Sequence, residues 1–84
     1  MYYTYVLKSK VDSFTYIGYT SDLRERIKDH NNGKTKSIRH RIPFELIYYE
    51  AYKNKTDARK REIELKNNNY QKEQLMKRIS NSLI

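Results

Sequence analysis

The sequence predicts an α+β domain with a small three-stranded, mainly antiparallel sheet flanked by helices in the order β-β-α-β-α-α. Three observations predict this fold. The 84 residues leave room for one domain, which we expect to span 1–84. Three short segments are rich in aromatic and β-branched residues, as strands are. Three further segments carry helix caps or helical periodicity, and such helices pack on a sheet face.

The first half of the chain predicts a hairpin followed by a helix. Strands are expected at Tyr2–Leu7 and Phe14–Thr20, joined by a polar connection. That connection has no Asn-Gly or Asp-Gly pair, so the sequence does not determine the register locally. A helix is expected over 22–32, because Asp22 and Glu25 have the form of a capping box.

The second half predicts one strand and two helices. The Asn-Gly pair that ends at Gly33 predicts a left-handed end to the first helix. Four elements are expected to follow: a basic loop at 34–42 closed by Pro43, a strand at Phe44–Tyr52, a helix at Thr56–Asn67, and a last helix at Tyr70–Ile79 within the C-terminal segment 70–84.

Composition excludes several classes of protein and favours a polyanionic partner. The net charge is +8, which attracts nucleic acid by long-range attraction and counterion release. The chain has no cysteine, so any metal must bind to oxygen or imidazole, which fits Mg²⁺ or Mn²⁺ better than structural zinc. The apolar stretches are too short for a transmembrane helix and no signal-peptide pattern is present, so we expect a cytoplasmic protein.

A basic run between His30 and Phe44 predicts contacts with backbone phosphates. It contains no acid and four candidate phosphate-binding residues: Lys34, Lys36, Arg39 and Arg41. The alternative is a solvated loop with no ligand.

Tyrosine is the most conspicuous residue type, with nine copies and no tryptophan. Tyr3 and Tyr5 share one face of the first strand because side chains alternate with a period of two. If Tyr5 lies opposite Tyr16, the same register places Tyr3 opposite Gly18, where the missing side chain leaves room for a ring or a ligand. Aromatic cross-strand pairs also serve packing alone, so a purely structural role stays open for each tyrosine.

Three charged or titratable residues are candidates for a site. Arg26 and His30 are spaced by four residues and share one face of the first helix. The alternative for Arg26 is a structural role, in which its aliphatic part packs on the core and its guanidinium lies in water. Glu62 lies in a stripe with Ala58 and Leu65 that is expected to face inward, where an ionised carboxylate needs a cation. A salt bridge and a metal ion both satisfy that need.

These residues together resemble the GIY-YIG nuclease superfamily, in its small single-domain bacterial branch. Tyr16-Ile17-Gly18 matches the second half of the signature, and Tyr3-Thr4-Tyr5 occupies the first half. Arg26 follows Tyr16 by ten residues, His30 follows at four more, and Glu62 lies in a later helix. The similarity continues through ELIYYE and TDARKREIELK, so it covers nearly the whole chain.

The resemblance implies a DNA endonuclease that hydrolyses phosphodiester bonds with one divalent cation, Mg²⁺ or Mn²⁺. By this resemblance Tyr5 and Tyr16 line the site, and one of them acts as general base or positions the attacking water. Arg26 stabilises charge on the phosphoryl group, His30 assists, and Glu62 holds the metal. We therefore expect Tyr5, Tyr16, Arg26 and Glu62 to converge on one concave surface. No appended DNA-recognition domain is evident, which favours structure-selective or weakly specific cleavage.

Two departures from the family pattern keep other functions open. Tyr3-Thr4 replaces the Gly-Ile of the first motif, and Tyr19 stands where excision-repair nucleases of the superfamily carry a lysine. The loss of that lysine removes one candidate for activating a tyrosine. One alternative is a catalytically weak or inactive module that binds nucleic acid or tethers to a partner protein. Another is a small RNA-associated basic protein whose tyrosines stack on bases.

Overall fold

A three-stranded antiparallel sheet lies between two helical layers in the computed structural model, which describes residues 1–84. The order of the elements confirms the predicted fold. They are β1 (Tyr2–Ser9), β2 (Thr15–Thr20), α1 (Leu23–Asn31), a 3₁₀ helix (Lys36–Arg41), β3 (Phe44–Tyr52), α2 (Lys55–Asn67), α3 (Asn69–Arg78) and a last 3₁₀ turn (Ser80–Leu83). The predicted basic loop at 34–42 therefore contains a 3₁₀ helix, and regular helix ends at Arg78 within 70–84.

Side-chain caps start all three α-helices. The Asp22 carboxylate accepts from the backbone N–H of Glu25 at 3.1 Å, as the capping-box pattern predicts. Asn54 caps α2, and Asn68 both follows α2 and caps α3, which is why the asparagine run separates two helices. Gly33 has φ of +79°, a conformation that suits glycine after a helix end.

The sheet order β2-β1-β3 leaves β1 in the centre and β2 at one edge. Tyr5 pairs with Gly18 and Leu7 pairs with Tyr16, so the register that placed Tyr5 opposite Tyr16 is wrong by two residues. Gly18 lies inside β2, and a Cβ there would approach the Tyr5 hydroxyl to 2.3 Å. The space that the missing side chain leaves is therefore filled by the ring of Tyr5, which the long-range pairing of strands determines.

Two separate cores cover the two faces of the sheet. The face toward α1 and the 3₁₀ helix, here the α1 face, buries Tyr5, Leu7, Ile38 and Phe44. The opposite face, here the α2 face, buries Val6, Ile17, Leu65, Leu75 and Ile79. Alternate residues of β1 therefore belong to different cores, as the period of two requires. None of the helices combines the length and apolarity that crossing a bilayer requires.

A β-bulge in β3 changes which of its side chains face each helical layer. Val6 pairs with Tyr48 while the next residue, Leu7, pairs with Leu46, so Ile47 is an extra residue. Leu46 packs on the α1 face, whereas Ile47 and Tyr48 both pack on the α2 face.

Candidate active site

A buried hydrogen bond between Tyr5 and His30 lies at the centre of the candidate site. The Tyr5 hydroxyl and His30 Nε2 are 2.8 Å apart, and each residue is only 1% exposed. The cap at Asp22 sets the start of α1, and His30 follows in its last turn, over β1. Thr35 Oγ1 lies 3.0 Å from His30 Nδ1, so both ring nitrogens have partners. We call Tyr5, Tyr16, Arg26, His30 and Thr35 the Tyr5–His30 cluster.

His30 is neutral at physiological pH. Burial and, to a smaller extent, the positive charge of Arg26 together lower the pKa of His30 to about 4, against a smaller opposing effect of Asp29. A neutral imidazole donates through one nitrogen and accepts through the other. The two hydrogen bonds of His30 therefore run in one direction, from Thr35 toward Tyr5 or from Tyr5 toward Thr35.

Tyr5 and Arg26 form the charged part of the cluster. Burial raises the pKa of Tyr5 to about 12, although the adjacent guanidinium of Arg26 opposes the increase. At neutral pH about one molecule in 10⁵ then carries the Tyr5 phenolate. Burial alone would lower the pKa of Arg26, but its contact with the Tyr5 hydroxyl raises it, so the guanidinium is charged. None of the salt bridges in the structure includes Arg26, so this cation is available to an anion.

Tyr16 completes the α1-face part of the site from the edge strand β2. Its ring meets the His30 ring edge to face, with centroids 4.9 Å apart, and lies 6.4 Å from the Tyr5 ring. Tyr16 is half-buried, in contrast to the fully covered Tyr5. A substrate at the β2 edge therefore reaches Tyr16 more readily than Tyr5.

Glu62 comes from α2, in the helical layer on the other face of the sheet, and approaches Tyr16 around the β2 edge. Lys66 connects the two, because its Nζ lies 3.0 Å from Glu62 Oε2 and 5.8 Å from the centroid of the Tyr16 ring. Arg59 Nε lies 3.6 Å from Glu62 Oε1. The carboxylate charge also reaches Tyr5, where it helps to raise the pKa. The four predicted residues thus meet around an edge of the sheet, and none of them lines either of the two grooves of the structure, so the single concave surface expected for them is not formed.

The donor set at Glu62 fits a metal that is shared with substrate. No group of three or more acidic or histidine side chains is arranged to hold a metal alone. Magnesium binds well to one carboxylate when waters and substrate phosphates complete its shell. The Glu62 side chain is 14% exposed and its partners Arg59 and Lys66 are cations, so a divalent ion would take over their role as counter-charge.

Of the four basic residues in the predicted phosphate-binding run, two form salt bridges and two do not. Lys34 forms a salt bridge with Asp29 at 3.2 Å. Arg41 forms one with Asp12 at 2.8 Å, and its guanidinium lies 4.1 Å from the centroid of the Phe14 ring, so Arg41 ties the hairpin to the 3₁₀ helix. Lys36 and Arg39 are exposed and form no salt bridge.

Sequence reasoning missed three residues of this site: Thr35, Arg59 and Lys66. Arg59 precedes Glu62 by three residues and Lys66 follows it by four, and both spacings place side chains side by side on a helix. The sequence therefore contained a signal for Arg59 and Lys66. Thr35 had none, because its contact with His30 depends on the irregular chain path after Gly33.

Comparison with known proteins decides the family. The family model for the GIY-YIG catalytic domain matches residues 1–77. The chain belongs to the GIY-YIG catalytic-domain family. A UPF0213 protein of Staphylococcus epidermidis is 40% identical over 79 residues, which cover 93% of each chain. A UPF0213 protein of Clostridium perfringens is 46% identical over 67 residues, 79% of this chain and 71% of the relative.

A solved structure supports the fold of this GIY-YIG domain. The solution NMR structure of a UPF0213 protein from Bacillus halodurans is 41% identical, with a TM-score of 0.57, over 92% of this chain and 84% of that one. The UPF0213 names state no activity. This is therefore a domain of a nuclease family. The substrates of that family are nucleic acids, and its members generally depend on a metal.

Proposed function

We propose that this protein is a metal-dependent endonuclease that hydrolyses phosphodiester bonds in DNA with structure-selective or weak sequence specificity. One observation carries the proposal: Arg26 is a cation without a salt-bridge partner, adjacent to the Tyr5 hydroxyl and to neutral His30. A guanidinium in that position suits the nonbridging oxygens of a phosphodiester, which it holds in bidentate geometry as negative charge develops.

The two signature tyrosines have different proposed roles. Tyr5 is covered and its pKa is raised to about 12, so it serves best as a hydrogen-bonding partner that orients Arg26 and His30. Tyr16 is more accessible, and we assign to it the attacking water, which its oxygen positions or, when ionised, deprotonates. His30 is a positioning residue that acts through Tyr5, with Thr35 holding its ring.

Glu62 is the proposed ligand of a divalent cation, Mg²⁺ or Mn²⁺, shared with the substrate phosphate. When bound, the cation supplies positive charge to the phosphate and to the leaving oxygen. Lys36 and Arg39 are the proposed contacts to flanking phosphates, since their charges have no partner within the protein.

A cleavage assay with matched variants tests the proposal. Branched, flapped and single-stranded DNA are incubated with and without Mg²⁺, using the wild type, Arg26→Ala, Glu62→Ala and the control Glu73→Ala. Glu73 is an exposed acid of α3 that pairs only with Lys77, so its removal changes charge equally without touching the site. We expect Mg²⁺-dependent cleavage that both site variants lose and the control retains. Cleavage that persists in Glu62→Ala would contradict the metal assignment.

A second function has one observation in its favour. The Glu62 carboxylate already has Arg59 and Lys66 as counter-charges, and Arg59 also lies over the ring of Tyr19, 5.3 Å from its centroid. A carboxylate that is neutralised by two cations of its own chain does not need a metal ion. A protein in that state can bind nucleic acid without cutting it. Salt-sensitive DNA binding by the folded wild type, with no cleavage of any substrate in Mg²⁺ or Mn²⁺, would favour this binding module.

A further inference from the structure

An open groove lies beside the Tyr5–His30 cluster, between α1 and the end of the sheet where β1 and β3 pair. Its volume is about 410 Å³, and its walls are mainly apolar or aromatic. That volume lies within the range of sites that bind small organic ligands, roughly 300–1,000 Å³. Eight residues line it, among them Tyr3, Asp22, Leu23, Arg24, Ile27 and Tyr49.

Two tyrosines form an aromatic wall of this groove. The Tyr3 and Tyr49 rings meet edge to face, with centroids 5.9 Å apart and planes at 66°. Tyr49 is 52% exposed, so part of its ring is open to solvent. The bulge at Ile47 brings Tyr49 into pairing with Tyr5 on the α1 face, which places it beside Tyr3. The two rings thus form an aromatic corner, and the Tyr49 ring is partly open to solvent.

The groove lies along β1 from the candidate active site. Tyr3 lies on the same face of β1 as Tyr5 and is two residues away, roughly 7 Å along the strand. Arg24 lines the groove and Arg26 belongs to the active site, and because they are two residues apart on α1 they project from different sides of the helix. A strand whose phosphate is held at Arg26 therefore has the aromatic wall next to it along β1.

We propose that this groove binds one unpaired nucleobase of the DNA strand, stacked on Tyr3 or Tyr49, next to the phosphate held at Arg26. The inference rests on the proposed function and adds a substrate feature to it. Every base has a π face, so stacking on tyrosine tolerates any sequence, and the net charge of +8 on the chain favours the polyanionic backbone that carries the base. A base inside a duplex is already stacked on both sides, so the preferred substrate presents an unpaired nucleotide at this point, as single strands and flaps do.

The test measures base stacking and cleavage separately. Single-stranded oligonucleotides with one 2-aminopurine, moved along the strand, are titrated with protein in EDTA so that no strand is cut. We expect fluorescence quenching at one or two adjacent positions. Removing the base at such a position should weaken binding about 5- to 100-fold, the loss of one base stack. The Tyr3→Ala/Tyr49→Ala variant should lose the quenching, whereas Tyr3→Phe/Tyr49→Phe should keep it.

Tyr70→Ala is the matched control, because Tyr70 is 65% exposed on α3 in the other helical layer. Unchanged affinity for the abasic strand would overturn the groove proposal, and this measurement uses wild-type protein, so it holds even if the alanine variant does not fold. A wild-type dimer that Tyr49→Ala dissociates would also overturn it, since a second copy of the chain would then occupy the groove. Mg²⁺-dependent cleavage without quenching would refute the groove alone, and quenching without cleavage would refute only the nuclease.

Discussion

Two tyrosine clusters lie on opposite faces of one sheet and differ in how their charges are paired. On the α2 face, Glu50 accepts hydrogen bonds from the hydroxyls of Tyr48 and Tyr52, and Arg61 Nε lies 3.1 Å from each Glu50 oxygen. We call Tyr48, Glu50, Tyr52 and Arg61 the Glu50 network. The Tyr5–His30 cluster on the α1 face also combines tyrosines with an arginine, but it has an imidazole in place of the carboxylate.

This difference determines what each cluster can do. Burial opposes ionisation of Glu50, yet donors from Tyr48, Tyr52 and Arg61 lower its pKa, so the network holds a carboxylate whose charge Arg61 balances. Burial and the bond to Glu50 raise the pKa of Tyr48 to about 12. Arg61 also forms a salt bridge with Glu64, so the cation of this network is fully engaged and is not available to an anionic ligand. The Tyr5–His30 cluster leaves the charge of Arg26 without a carboxylate, which suits it to bind an anion.

The largest contrast should come from removing a single tyrosine hydroxyl on each face. Tyr16→Phe keeps the ring that packs on His30, so stability should change little while the single-turnover cleavage rate falls by about 10²- to 10⁴-fold. Tyr52→Phe removes one donor to Glu50, so it should lower the melting temperature and leave the rate per folded molecule unchanged. Wild-type cleavage by Tyr16→Phe would mean that Tyr16 is a packing residue like Tyr52.

Arg26 and Arg61 should likewise differ in whether their removal lowers the cleavage rate or the stability. Arg26→Ala should lower kcat by about 10²- to 10³-fold, because one charged donor to the phosphoryl oxygens is lost. Arg61→Ala leaves Glu50 partly buried without its cation, so it should cost about 3 kcal/mol of unfolding free energy in urea denaturation. Equal losses of stability in both variants would show that Arg26 is as structural as Arg61.

Acid should destabilise the two clusters in different pH windows. The pKa of His30 falls from 6.5 when unfolded to about 4 when folded, so the unfolded chain binds more protons between these values. The contribution of His30 is therefore complete above pH 6.5 and is lost as pH falls toward 4, up to about 3 kcal/mol. The pKa of Glu50 is lowered from 4.5, so its contribution is lost only at more acidic pH.

Denaturant unfolding across pH 3–8 tests both windows. The variant His30→Gln should flatten the plot of unfolding free energy against pH between pH 4 and 6.5, whereas Glu50→Gln should flatten it only below that range. A wild-type stability that is constant from pH 7 to 4.5 would contradict the assignment of a buried neutral His30.

The smallest expected effect concerns phosphate binding outside both clusters. Removing Lys36 and Arg39 together should flatten the plot of log affinity against log salt by roughly one to two units, at about 0.9 per lost phosphate contact. The matched variant Lys34→Ala/Arg41→Ala removes two cations that are already paired with Asp29 and Asp12, so its slope should change less. Equal slopes for the wild type and the Lys36/Arg39 variant would identify the run as a solvated loop.

Local signals in the sequence were sufficient for the elements and for part of the candidate site. Capping depends on residues three apart, so Asp22 and Glu25 predicted the start of α1 from chemistry within one turn. The spacing of Arg26 and His30 likewise predicted that both project from one face of α1, because the geometry of a helix is local, and in the structure that face lies toward Tyr5. The predicted third strand, Phe44–Tyr52, has the bounds that the structure shows.

Only the tertiary structure decided the register, the faces of β3 and the pairing of the charges. Strict alternation along β3 would place Leu46 on the same face as Tyr48 and Glu50, and the bulge at Ile47 separates Leu46 from the other two. One extra residue reverses every later side chain, and it is selected by packing on both faces at once rather than by neighbours in sequence. Glu62 meets Tyr16 only because α2 crosses the sheet near its β2 edge. By itself the sequence determined which residues carry charge and which elements hold them, whereas the distances that leave Arg26 unpaired and Arg61 neutralised depend on contacts between elements far apart in the chain.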